Sequence, residues 1–129
     1  MATTILVLDD EKEIADLVTL YLGNEGYQVV TFYDSEKALE YLKHQRVDLA
    51  MLDIMMPKIN GFEICKWIRE KYTFPVIMLT AKVEDMDKIQ GLSLGADDYI
   101  TKPFNILEVK ARIKAIIRRT KKDRPEEQK

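Results

Sequence analysis

Of 129 residues, only one is cysteine (Cys65), one is histidine (His44) and one is tryptophan (Trp67). A lone cysteine excludes an internal disulfide and fits a reducing compartment. One histidine and one cysteine also leave no ligand set for zinc, which takes nitrogen and sulfur donors in threes and fours. No apolar stretch approaches the roughly 20 residues a membrane helix needs. The opening residues carry no basic segment leading into an apolar run of signal-peptide length, so a cytoplasmic protein without membrane contact is expected. A net charge of −2 gives this domain no electrostatic footprint for nucleic acid. A glycine-rich phosphate loop of the P-loop or dinucleotide kind is missing too, which argues against nucleotide binding. What is present is the composition of an ordinary globular chain, 47% hydrophobic and 33% charged. The length suits one domain with a full core.

Short apolar runs stand out against this background. Residues 4–8, 27–32, 49–53, 75–80 and 98–101 read as strands, the third of them as Leu49, Ala50, Met51 and Leu52 ending in Asp53. Unbroken apolar runs of this length are what a parallel sheet covered on both faces requires. Between them, residues recur at helical spacing: Ile14, Leu17, Val18, Tyr21 and Leu22 closed by Gly26; Ala38, Leu39 and Leu42 capped by Asp34 or Ser35; Ile64, Cys65 and Ile68. A weaker helix is predicted from about Glu84 to Leu94 with Gly95 closing it, and a final one over Val109, Ile113, Ile116 and Ile117. Five strand–helix alternations predict an α/β domain: a doubly wound parallel sheet with right-handed crossovers and helices on both faces. His44 reads as a surface residue, Cys65 as helix packing and Trp67 as partly exposed.

Chemistry in such a sheet gathers beyond the carboxyl ends of the strands. The residues there are Asp9 and Asp10 after the first run, Asp53 at the end of the third, Thr80 after the fourth and Lys102 after the fifth. Two carboxylates about 4 Å apart repel by roughly 4 kcal/mol at an effective dielectric near 20. One ammonium cannot balance three acids, so the cluster needs a cation. An oxygen-only set with few carboxylates suits Mg²⁺, which keeps several waters and often a phosphate oxygen; Mn²⁺ is an acceptable substitute. Metal, ammonium and hydroxyl around one carboxylate make a phosphoryl-transfer site, with Asp53 as the nucleophile that becomes an acyl phosphate.

Asp9-Asp10, Asp53 followed by Met56-Pro57 and Gly61, Thr80-Ala81, and Lys102-Pro103-Phe104 together resemble the receiver domain of bacterial two-component response regulators. The resemblance covers about residues 3 to 120. Within that family the chain is most similar to regulators whose receiver precedes a winged-helix DNA-binding domain, the glycopeptide-resistance regulators among them. It implies a flavodoxin-like (βα)5 fold with strand order 2-1-3-4-5, and phosphorylation of Asp53 by a sensor histidine kinase. It implies Mg²⁺ held by Asp10, Asp53 and the backbone carbonyl of Met55, with Asp9 acting through water. It further implies a cis peptide before Pro103, and a switch in which Thr80 moves towards the phosphoryl group and Tyr99 rotates inward. The expected protein is a phosphoacceptor switch and not an enzyme.

The readout surface implied is the face of the fourth helix, fifth strand and last helix. On it, Lys88, Ile89, Leu92, Asp97, Asp98, Glu108, Ala111, Arg112 and Arg119 would join two phosphorylated copies about a two-fold axis. The expected pairs are Lys88 with Glu108, Asp98 with Arg112 and Asp97 with Arg119. Residues 1–120 are then the receiver and 121–129 the start of a linker, with the DNA-binding domain outside this chain. Two alternatives compete. One is a stand-alone receiver acting by docking. The other is a haloacid-dehalogenase-type aspartyl-phosphate hydrolase, against which stands Met55 in the place of a second acid.

Overall fold

The computed structural model describes residues 2–81 and 95–122. The helix expected over about 84 to 94, with Lys88, Ile89 and Leu92, lies outside the described residues, as does the charged stretch after residue 122. Five strands form one sheet: β1 (Thr4–Leu8), β2 (Gln28–Phe32), β3 (Leu49–Asp53), β4 (Val76–Thr80) and β5 (Asp98–Thr101). Their order is β2-β1-β3-β4-β5, and every neighbouring pair is parallel. The described helices are α1 (Lys12–Asn24), α2 (Ser35–His44), α3 (Gly61–Lys71) and a final helix (Ile106–Lys122).

The period-2 alternation of strand side chains divides the core in two. Leu6, Leu8, Ala50, Leu52, Val76 and Met78 point to one face, where Ala38 and Leu42 of α2 and Ile64, Cys65 and Ile68 of α3 cover them. Ile5, Val7, Leu49, Met51, Ile77 and Leu79 point to the other face, under Ala15, Val18 and Leu22 of α1 and Val109, Ile113 and Ile116 of the final helix. The interior strands β3 and β4 are buried at every position, whereas the edge strands β2 and β5 are largely half-buried. Each fully buried Leu or Ile contributes about 1.5–3 kcal/mol relative to exposure. This burial dominates the stability of the sheet.

Leu17 does not take its expected core position: Ala15 faces the sheet and Leu17 is exposed. Ala15, Val18 and Leu22, at i, i+3 and i+7, form the buried stripe of α1, and Leu17 falls on the other side of the helix. Asp34, not Ser35, caps α2, its carboxylate accepting from the Lys37 backbone N–H. Asn60 caps α3 in a reciprocal box with Glu63. Gly26 carries the positive φ that a helix-closing residue needs. His44 is exposed beside Glu40, and Cys65 is buried.

Candidate functional site

β1, β3, β4 and β5 all run the same way, so their carboxyl ends meet at one edge of the sheet. Asp53, the last residue of β3, is buried there, with Thr80 at the end of β4 and Asp9 just past β1. The ladder continues beyond the strands: Ile54 N–H donates to Leu79 O (2.9 Å) and Lys102 N–H to Thr80 O (2.7 Å). These bonds bring Lys102 back over the acids. The Lys102–Pro103 peptide is cis.

The Lys102 ammonium is nearly buried and divides itself among three carboxylates. It lies 2.7 Å from Asp9 Oδ2, 2.9 Å from Glu11 Oε1 and 3.4 Å from Asp53 Oδ2. Burial alone would lower its pKa, but the contacts with Asp9 and Glu11 and the charge of Asp53 outweigh that and raise it. Asp53 is pushed up to about 6, first by burial and then by the charge of Asp9; Lys102 and the Met55 N–H pull the other way. That N–H donates to Asp53 Oδ1 at 3.1 Å. Asp9 Oδ1 accepts from the Glu11 N–H at 2.9 Å, while its Oδ2 is fully buried and accepts no hydrogen bond beyond the ion pair.

Asp9, Asp10 and Asp53 each offer one carboxylate oxygen within 4.8 Å of the other two. Asp10 is exposed and joins Ile54, Met55, Met56, Pro57, Asn60 and Phe62 around an open groove of roughly 620 Å³. With Glu11, four acids share the crevice, and three of them contact the Lys102 ammonium. The donor set is all oxygen, and three carboxylates converge where one ammonium is the counter-charge, which fits a hard divalent cation.

Tyr99 is half-buried on β5, packed against the core on the α2/α3 face. Asp98, Glu108, Ala111, Arg112 and Arg119 lie on the surface of β5 and the final helix, away from the acids. Within the single chain, Arg112 grips both oxygens of Asp98 (2.9 and 2.7 Å) and also meets Glu108. Asp97 is held elsewhere: its Oδ2 accepts from Arg69 (2.7 Å) and from the Val76 N–H (2.8 Å). The sequence reading missed two residues. Glu11 carries a signal, since it directly follows the acid pair. Arg69 carries none.

A doubly wound parallel sheet with a buried carboxylate at the end of its central strand, two further acids at β1 and a lysine crossing from β5 defines the class of phosphoacceptor α/β domains. The chain matches the family described as the response regulator receiver domain over residues 5–114, and it belongs to that family. It is similar to the regulatory protein VanRc of Enterococcus gallinarum, 60% identical over 119 residues, which are 92% of this chain and 52% of that protein. It is also similar to the alkaline phosphatase synthesis transcriptional regulatory protein PhoP of Bacillus subtilis (strain 168), 51% identical over 121 residues, 93% of this chain and 50% of that protein. Among solved structures it resembles the response regulator DrrB, a Thermotoga maritima OmpR/PhoB homolog. The TM-score is 0.86 at 36% identity, covering 93% of this chain and 54% of that one. The chain spans about half the length of the curated relatives it matches. Among the described residues, no helix is long and apolar enough to cross a membrane.

Proposed function

We propose that Asp53 accepts a phosphoryl group from a sensor histidine kinase, and that the acyl phosphate switches the domain into a dimer. The observation that carries this reading is the placement of the Asp53 carboxylate, buried at the end of β3 with Lys102 Nζ at 3.4 Å and two more acids within reach. Ionised Asp53 attacks phosphorus, the bond from phosphorus to the donor nitrogen breaks, and its electron pair leaves with the imidazole. Little covalent work falls to the protein, which positions groups and neutralises charge. The Lys102 ammonium, already desolvated, takes one phosphoryl oxygen, and the Thr80 hydroxyl donates to another.

Asp10, Asp53 and the Met55 carbonyl would hold Mg²⁺, with Asp9 acting through water and Mn²⁺ able to substitute. When bound, the ion neutralises charge on the transferring phosphoryl group and lowers the pKa of Asp53 towards its ordinary range. Thr80 and Tyr99 carry the change to the face of β5 and the final helix, where Asp97, Asp98, Glu108, Ala111, Arg112 and Arg119 meet a second copy. Residues 1–120 act as the receiver and 121–129 begin a linker to a DNA-binding domain that controls transcription. The twofold greater length of VanRc and PhoP supports that two-part design over a stand-alone receiver. Met55, exposed and apolar two residues after Asp53, leaves no acid there for repeated hydrolysis, which supports an acceptor and not an enzyme that turns over.

Size-exclusion of wild type and Asp53→Asn, with and without a small acyl phosphate and Mg²⁺, tests the reading. Wild type should shift to twice its mass only with both additions, and the variant under none. A dimer formed by the variant, or by wild type with all divalent ions chelated, would overturn it.

A further inference from the structure

Glu11 occupies the N-cap position of α1, yet its side chain makes no capping hydrogen bond. Its backbone is fixed there regardless, because its carbonyl accepts from Ile14 and Ala15 (3.0 and 3.1 Å) and its N–H donates to Asp9 Oδ1. Freed from the helix, the carboxylate reaches across the crevice to Lys102, 91 positions away in the chain, at 2.9 Å. Side chains at an N-cap ordinarily satisfy one of the four open N–H groups of the first turn. Here that possibility is given up for a contact with the lysine that faces the acceptor.

The three distances at Lys102 show where the ammonium is drawn: 2.7 Å to Asp9, 2.9 Å to Glu11 and 3.4 Å to Asp53. An ammonium has three N–H donors, and three carboxylates lie within 3.4 Å of this one. A phosphoryl group on Asp53 would need one of them and would bring more charge than the carboxylate it replaces. Asp9 is fully buried, so releasing the lysine from it would strand a charge. Glu11 is more than half exposed and can swing into water at little loss. Glu11 is therefore the partner that yields.

We propose that Glu11 is a positioning residue that competes with the phosphoryl group for Lys102, holding the ammonium back from Asp53 until phosphate arrives. The inference rests on the phosphoacceptor reading above and deepens it. Removing the competitor leaves Lys102 free to sit closer to Asp53 before phosphoryl transfer. The gain is bounded by the modest strength of a partly exposed ion pair, about two- to fivefold in rate.

The test compares wild type, Glu11→Gln, Lys102→Met and the double variant. In divalent-free protein, NMR of the Lys102 ammonium and the Met55 amide should show both resonances displaced by Glu11→Gln. At saturating Mg²⁺, phosphorylation by a small acyl phosphate should be about two- to fivefold faster in Glu11→Gln than in wild type. That gain should vanish in the Lys102→Met background. A role confined to the helix N-terminus would lower the melting temperature and leave the lysine resonance where it was, which overturns the proposal. So does a rate gain that survives without Lys102. If wild type takes no phosphate at all, the functional reading fails, while the lysine resonance still decides whether Glu11 restrains Lys102.

Discussion

Gly61 is pressed against the backbone of Asp53. A Cβ built on it would lie 2.7 Å from the Asp53 carbonyl oxygen and 2.9 Å from Ile54 Cα, and both neighbours are main chain that cannot swing aside. The Gly61 N–H donates to Ile54 O at 3.0 Å, so the first residue of α3 is stitched to the residue that follows Asp53. Gly61→Ala must move either α3 or the end of β3. Overpacking of this kind costs about 1–3 kcal/mol. Urea denaturation should show that loss, and phosphorylation of Asp53 by a small acyl phosphate should slow with it. A variant as stable and as reactive as wild type would show that the loop absorbs a methyl group freely.

The raised pKa of Asp53 makes a linked prediction about stability. Its ordinary value is 3.8, and in the fold it is about 6. Between these values the folded protein keeps a proton that the unfolded chain has released. The contribution is therefore fully present below about pH 4 and is lost as pH rises through about 6. Asp53→Asn removes the dependence, so in divalent-free buffer the variant should be more stable than wild type by about 1–3 kcal/mol at pH 7 and nearly equal to it at pH 4. Adding Mg²⁺ should return much of the difference to wild type, since a cation that binds only the folded form stabilises it. Denaturant melts across that pH range check it, and a difference that stays flat with pH would refute the assignment.

Most of the fold could be read from the chain because its signals are local. β1 and β5 occupy the residues that their apolar runs mark, while β2 and β4 each start one residue late, after Tyr27 and Pro75. Pro75 has no N–H to give the ladder and contributes only its carbonyl, to Ala50. Periodicity alone could not rank Leu17 below Ala15, since Val18 and Leu22 make an apolar stripe with either of them and the docking of α1 on the sheet selects one. At the crevice, residue type and strand-end position drew out Asp9, Asp10, Asp53, Thr80 and Lys102. Glu11 on Lys102 and Arg69 on Asp97 join positions 91 and 28 apart. Such pairs leave no period in the sequence.

Arg69 ties down the end of the sheet opposite the acids. Its guanidinium donates to Gly95 O (2.9 Å), Phe74 O (2.7 Å) and Asp97 Oδ2 (2.7 Å), and Asp97 Oδ2 also takes the Val76 N–H. One side chain from α3 thus fixes the entries to both β4 and β5. Arg69→Ala leaves two carbonyls and a carboxylate short of a donor, so a loss of about 2–3 kcal/mol is expected. Arg69→Ala and Asp97→Ala should be strongly non-additive in a double-mutant cycle by denaturation. Phosphorylation of Asp53 should be unchanged in Arg69→Ala, because the clamp sits at the far ends of the strands. Additive losses would mean that the two residues act separately.

Asp98, Glu108 and Arg112 raise the question of what holds the expected dimer face together. Arg112 already satisfies its charge within one chain, with Nη1 on both oxygens of Asp98 and Nε and Nη2 on Glu108. Asp97 is likewise committed to Arg69. A second copy must therefore either share these groups or displace the internal contacts. Both routes make Arg112 the pivot, because it alone among them meets two acids. The Asp98–Arg112 pair is partly exposed, so Arg112→Ala should cost the monomer less than about 1 kcal/mol. The same change should weaken the dimer formed with acyl phosphate and Mg²⁺ at least tenfold, since losing the arginine leaves two acids facing the interface unpaired. Sedimentation velocity over a concentration series measures this directly. If phosphorylated Arg112→Ala dimerises as tightly as wild type, the interface lies on another face.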